Sequence, residues 1–218
     1  MKISVADAVR YMGAGEGNAV IRRMTAETAE ELEKKITPRR TWRTFRTEIR
    51  KDGVFLPEAG ETLRGTLAKN MLAECDTAVI LLCTLGAEFE AMQRAQEARD
   101  MARAVVLDAC GSAWVEAGCD AAEEEIAARF PGKYRTDRFS PGYGDLPLES
   151  QEWILRALNA GRRLGVTETA SHLLIPAKSV TAVIGLSDRP QGAKIRGCAY
   201  CALREGCAYR ERGTRCGI

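Results

Sequence analysis

Arg138-Phe139-Ser140-Pro141-Gly142-Tyr143 gathers groups able to hold a small charged ligand. An arginine offers a planar fork that grips a carboxylate through two parallel hydrogen bonds. Pro141 fixes its own φ, Gly142 lets a ligand approach the backbone with no Cβ in the way, and Tyr143 adds a flat face with a hydroxyl. Such a set suits a ligand with a carboxylate and a partly apolar body. A tight surface turn with a solvated arginine has the same composition, and both readings stand on the residues alone.

A second chemical constellation closes the sequence. Cys198-x2-Cys201-x5-Cys207-x8-Cys216 supplies four thiols, and a Cys-x2-Cys pair lets two thiolates reach one ion. Four thiolates suit zinc or a 4Fe–4S cluster. Over 194–216 six Lys/Arg face two Glu, which would partly neutralise an anionic cluster. A tail of reduced thiols is the alternative. The other cysteines, Cys75, Cys83, Cys110 and Cys119, stand in apolar contexts and are expected as small core residues. His172 is the single histidine, expected to be a packed or surface residue; a nucleophile–His–acid relay and a His-rich metal site are not expected. No Walker loop, dinucleotide-binding glycine fingerprint or His-Glu-x-x-His occurs. Thr84-Leu85-Gly86 reads as a strand-to-helix turn that can also start an anion-accepting helix.

The elements that must position these groups are legible in part. Ser4 and Asp7 form a capping pattern ahead of a Val5, Val9, Met12 stripe, with Gly13 and Gly15 as the stop. Thr25 is placed to cap a helix over "AETAEELEKKI", which Pro38 ends. "TWRTFRTEIRKDGVFL" flanks an Asp52-Gly53 hairpin signal, and "ETLRGTLAKNMLAE" returns to helical spacing. "TAVILLC", Thr77 to Cys83, predicts a buried central strand. Helix is expected from Ala87 to Phe130, with a restart at Asp100 and a break at Pro131-Gly132, and again from Leu148 to Leu164. "TETASHLLI" and "SVTAVIGL" read as strands.

Composition bounds the class. A chain of 218 residues with 45% hydrophobic content is sized for one compact domain with a small appendage. A formal charge of +2 and 6% aromatics give no case for a nucleic-acid partner. No apolar run approaches about 18 residues, so no membrane span is expected. The charges in "MKISVADAVRYMG" do not fit a signal peptide, and a cytoplasmic location is expected, where thiols stay reduced.

"RFSPGYGDLPLESQ", with "VTETASHLLIPAKSVTAVIGLS" downstream, resembles the activation domain of cobalamin-dependent methionine synthase, the S-adenosylmethionine-binding module of that multidomain enzyme. Arg138, Pro141, Gly142 and Tyr143 carry the Arg-x-x-Pro-Gly-Tyr core, and Thr167-Glu168, Pro176 and Ser179-Val180 match later positions. "YMGAG" and "LDACGSAWVEAGCD" also read like stand-alone members, so the likeness covers most of 1–188. The resemblance implies an α+β fold, an antiparallel sheet with long flanking helices, over 1–188; from Arg189 the composition shifts to glycine, arginine and cysteine, and 189–218 reads as a separate Cys-rich tail. The resemblance also implies S-adenosylmethionine as co-substrate in the reductive methylation of cob(II)alamin, in service of methionine biosynthesis. By matched position, Arg138 would hold the ligand's carboxylate and Ser140, Pro141, Gly142 and Tyr143 would line its cleft. Strand residues around Val183, namely Ile184 and Gly185, would supply backbone contacts, and Glu116 and Asp120 would be the acidic residues of the long helix; a solvated helix face is the alternative for that pair. The cobalamin would be carried by a separate methyltransferase protein and treated in trans, with an electron from an unnamed donor or through the cysteine tail. After Gly-Tyr the family continues Pro-Ala-Cys-Pro, where this chain has Gly144-Asp145-Leu146-Pro147. A corrinoid-protein binder without methyl-donor chemistry and an iron–sulfur redox protein on the same scaffold are the alternatives.

Overall fold

The computed structural model describes residues 1–13, 18–192, 195 and 204–206. In chain order its elements are α1 (Val5–Tyr11), α2 (Ala19–Lys35), β1 (Arg39–Arg46), β2 (Glu48–Arg50), β3 (Gly53–Leu56), β4 (Glu61–Arg64), α3 (Thr66–Leu72), β5 (Thr77–Thr84), α4 (Gly86–Glu97), α5 (Met101–Arg129), β6 (Tyr134–Arg135), α6 (Ser150–Leu158), α7 (Ala160–Leu164), β7 (Thr167–Glu168), β8 (Leu174–Ile175) and β9 (Ser179–Ser187), with a 3-10 turn at Arg204–Gly206. The fold is mixed helix and antiparallel sheet, as expected. One sheet has the order β1-β5-β9-β6, a second β2-β3-β4, and a third is the β7-β8 pair. Among the described residues, no helix is long and apolar enough to cross a membrane.

Two compact units interleave along the chain. The first takes Met1–Trp42, Leu81–Arg129 and Gln151–Thr181; the second takes Arg43–Ile80, Phe130–Ser150 and the described residues from Ala182 onward. Of the 189–218 tail expected as a separate piece, only 189–192, 195 and 204–206 are described.

The first unit is organised by α5. Buried residues spread around its circumference, from Ala104 and Leu107 through Trp114 to Ile126, because α1, α2 and α4 all pack against it. The Trp114 indole N–H donates to Ile36 O at 2.8 Å, so this large ring is buried with its one polar group satisfied. Asp100 starts α5, its carboxylate accepting from Arg103 N at 3.1 Å, which accounts for the expected restart. Ser4 caps α1 as read, accepting from Asp7 N at 3.2 Å.

Several boundaries differ from the expectations. The second helix begins at Ala19, with Asn18 Oδ1 accepting from Val20 N and Ile21 N at 3.1 Å. Thr25 lies inside it, and its hydroxyl donates back to Ile21 O at 2.8 Å instead of capping. The hairpin turn is Lys51-Asp52, one residue earlier than Asp52-Gly53, since Gly53 already pairs with Arg50. A Cβ on Gly53 would fall 2.2 Å from Leu63 O, so its place in the strand requires glycine. Glu61–Arg64, expected as helix, pairs with β3 as β4. The Leu148–Leu164 helix is two, parted by Asn159 in the left-handed region at φ 51°. "TETASHLLI" folds back on itself as β7 and β8.

β5 is the buried strand expected, with every residue after Thr77 buried. Each fully buried aliphatic side chain there stabilises the fold by about 1.5–3 kcal/mol relative to exposure. β9 is buried from Thr181 to Ser187.

Candidate functional site

The candidate loop is held within the second unit by β9. Tyr134 pairs with Ser187 and Arg135 with Leu186. Thr136 N donates to Gly185 O at 3.1 Å, and Phe139 and Val183 exchange both backbone bonds, at 3.1 and 2.7 Å. Between these contacts Asp137 and Arg138 stand opposite Ile184 alone. Two residues facing one define a β-bulge. Strict in–out alternation breaks there: Thr136 and Phe139 are buried, while Asp137 and Arg138 are both half-buried. The bulge thus lifts Arg138 out of the strand pattern at the point where the Pro-Gly-Tyr turn begins.

Beyond Phe139 the chain closes on itself. Tyr143 N donates to Ser140 O at 3.0 Å, Leu146 N to Tyr143 O at 3.0 Å, and Gly142 N to Leu146 O at 2.9 Å. Gly142 has φ 89°, a conformation an L side chain rarely adopts. Pro141 and Leu146 are buried, whereas Gly142 and Tyr143 are exposed. The result is an internally hydrogen-bonded loop with an exposed tyrosine and an exposed glycine following a half-buried arginine. Chemically it can grip a carboxylate and lay a backbone edge and a ring face along an apolar body.

The loop's far end is fastened by Asp145. Its carboxylate accepts from Thr66 N and Thr66 Oγ1, both at 2.6 Å, and from Leu67 N at 2.9 Å, the first donors of α3. Gly65 stands at the N-cap of α3 with no side chain to cap it, so the cap comes from another segment. The Thr66 hydroxyl and the Leu67 and Thr66 amides hold the Asp145 carboxyl down at about 2.

Of the other expected residues, Ile184 and Gly185 sit on β9 and are buried. The Gly185 N–H donates to Thr136 Oγ1 at 2.9 Å and its carbonyl accepts from Thr136 N, so both polar groups are engaged within the sheet. Glu116 and Asp120 belong to the first unit, four residues apart on α5; Glu116 is half-buried and Asp120 exposed. Burial and then the negative charge of Glu116 push the Tyr11 phenol up.

Thr84-Leu85-Gly86 is a strand-to-helix turn, with Thr84 Oγ1 accepting from Gly86 N at 3.0 Å. His172 is a turn residue whose Nδ1 lies 3.0 Å from Glu168 Oε2. Cys198, Cys201, Cys207 and Cys216 lie outside the described residues. Asp137 Oδ2 accepts from Ile195 N at 3.1 Å, and Ile195 stands three residues before Cys198. Among the described residues, no group of three or more His, Cys, Asp or Glu is placed to hold a metal ion. Cys75, Cys83, Cys110 and Cys119 are buried and in no disulfide, as expected of core residues.

No family model matches this chain. No curated protein matches it significantly. Among solved structures, the MetH reactivation domain bound to AdoHcy is similar to it: TM-score 0.62 at 17% identity, covering 95% of this chain and 77% of that one. At that identity the likeness shows a shared fold.

Proposed function

We propose that this chain is a reactivation component for a cobalamin-dependent methyltransferase, binding S-adenosylmethionine on the loop from Arg138 to Leu146. The observation that carries this is the placement of the Arg-x-x-Pro-Gly-Tyr sequence on a bulge-anchored, internally hydrogen-bonded loop. The shared fold supports it, because the similar domain binds AdoHcy, the demethylated form of that donor. Arg138 grips the ligand's carboxylate, the Ser140–Tyr143 segment lies along its body, and Tyr143 offers ring and hydroxyl. Glu116 and Asp120 are proposed as the acidic residues that α5 contributes, and Ile184 and Gly185 support the loop from β9. Reductive methylation of cob(II)alamin takes one electron and the donor's methyl group, and releases the donor as S-adenosylhomocysteine. In this proposal the cobalamin is carried by a separate methyltransferase protein, and the 189–218 tail binds a 4Fe–4S cluster or zinc through Cys198, Cys201, Cys207 and Cys216.

Calorimetric titration with S-adenosylmethionine tests the site. Saturable binding that falls at least about tenfold in Arg138→Ala is expected, the loss of one charge-assisted hydrogen-bonded contact. Unchanged affinity in that variant overturns the assignment. The same preparation, assayed for iron, sulfide and zinc, decides the tail.

One observation favours a second reading. Where the family continues with Pro-Ala-Cys-Pro, this loop spends Asp145 on capping α3. A corrinoid-protein binder without methyl-donor chemistry is the outcome if the wild-type chain takes no S-adenosylmethionine.

A further inference from the structure

The Ser140–Leu146 loop is secured at two ends by different devices. At Arg138 the device is the bulge against β9; at Asp145 it is a carboxylate on the first turn of α3. Three features of the second unit converge on the latter contact. Asp145 takes both available backbone donors of Thr66 and Leu67 together with the Thr66 hydroxyl. Gly65, at φ 102°, leaves room for that approach: a Cβ there would lie 2.6 Å from Asp145 O and 2.7 Å from Asp145 Oδ1. Gly144 lies against the Leu67 side chain, with a Cβ position 3.4 Å from Leu67 Cδ2. The loop and the helix start are therefore mutually fitted: Gly65 leaves room for the carboxylate, and Gly144, at φ 55°, takes a conformation an L side chain rarely adopts.

We infer that Asp145 is a positioning residue for the proposed ligand loop, latching it to α3 so that Gly142 and Tyr143 are presented in one conformation. The inference rests on the ligand assignment above for its consequence, but not for the latch itself. Ordering a loop before binding removes an entropic cost that binding would otherwise bear. The carboxylate is held well below the ordinary range by the same three donors, so the latch stays closed across neutral and mildly acidic conditions. It also supplies the cap that this seven-residue helix, with glycine at its N-cap, lacks.

Hydrogen exchange on the full chain, without ligand, tests the latch in Asp145→Ala and Asp145→Asn. In Asp145→Ala, exchange at the Gly142, Tyr143 and Leu146 amides rises about tenfold or more together with Thr66 and Leu67, while the amides of β9 keep their protection. Asp145→Asn restores part of it, because its amide oxygen replaces one of the two accepting oxygens, toward Thr66 or toward Leu67, while its NH2 cannot accept from the other. Quickened exchange at Thr66 and Leu67 alone overturns the inference, since the carboxylate would then serve only the helix. A global rise in Asp145→Ala leaves the decision to Asp145→Asn and to Gly65→Ala, which disturbs the same contact from the helix side. Calorimetry adds the functional arm: S-adenosylmethionine affinity falls in Asp145→Ala and recovers in part in Asp145→Asn. If the wild-type chain binds no S-adenosylmethionine, the ligand assignment fails while the exchange pattern still decides the latch.

Discussion

Thr136 holds Gly185 at both of its backbone polar groups: the Thr136 N–H donates to the Gly185 carbonyl at 3.1 Å, and the Gly185 N–H donates to the Thr136 hydroxyl at 2.9 Å. This clasp closes the regular pairing of β6 with β9 just before the bulge opens. It fixes the point from which Arg138 is offset.

The clasp leaves no room for a side chain on Gly185. A Cβ there would meet Cys75 Sγ at 2.4 Å, Leu72 Cδ2 at 2.7 Å and Thr136 Cγ2 at 3.0 Å. Gly185→Ala therefore overpacks the second unit and costs about 1–3 kcal/mol. Chemical denaturation should show a lower midpoint with an unchanged slope. A midpoint equal to wild type would mean the neighbours give way freely.

Arg138→Lys separates charge from shape. Lysine keeps the positive charge but loses the planar fork. If a carboxylate is gripped through two bonds, S-adenosylmethionine affinity should stay about tenfold below wild type in Arg138→Lys, close to Arg138→Ala. Full rescue by lysine would point to a purely electrostatic role.

Asp145 gives a pH signature. Its carboxyl titrates at about 2 in the folded chain against an ordinary 3.8. A depressed folded value means the stabilisation is complete above the ordinary value and is lost as pH falls from about 4 towards 2. The stability difference between wild type and Asp145→Asn should be flat from pH 5 to 8 and shrink only below about pH 4. A difference that changes between pH 5 and 8 would assign it to another group.

The cysteines should divide into two classes. Burial, with Asp76 and Glu74 nearby, pushes the Cys75 thiol up to about 11, and burial pushes Cys110 up to about 12. Those two, with buried Cys83 and Cys119, should resist a thiol reagent at pH 8 until denaturant is added. The other four of the eight cysteines decide the tail. Prompt reaction of all four means reduced thiols, and protection lifted by a chelator means a bound metal.

What the sequence disclosed follows physical range. The β5 run and the Asp100 restart were legible because burial of a whole strand and a helix cap are written in neighbouring residues. The Asn18 cap was missed in favour of Thr25, since either residue type caps and only packing tells which one is inside a helix. Four-residue β4 is too short to carry a period, and its identity comes from pairing with β3. The Arg138 to Tyr143 motif was legible as composition, but the bulge that sets Arg138 is a property of register against β9. The capping role of Asp145 is not legible locally because its partner Thr66 lies 79 residues away. The one local hint was a helix start, Gly65-Thr66, with no side chain of its own to cap it.

The interleaving of the two units has a consequence for how such a module can be divided. Each unit draws on three stretches of chain, so the polypeptide passes between them five times, and β1, β5 and β9 each contain one of the passages. A single cut therefore releases neither unit intact, and a truncation aimed at one removes strand from the other. Transplanting the Arg138 loop into another protein therefore has to bring along strand β9, whose residues belong to both units.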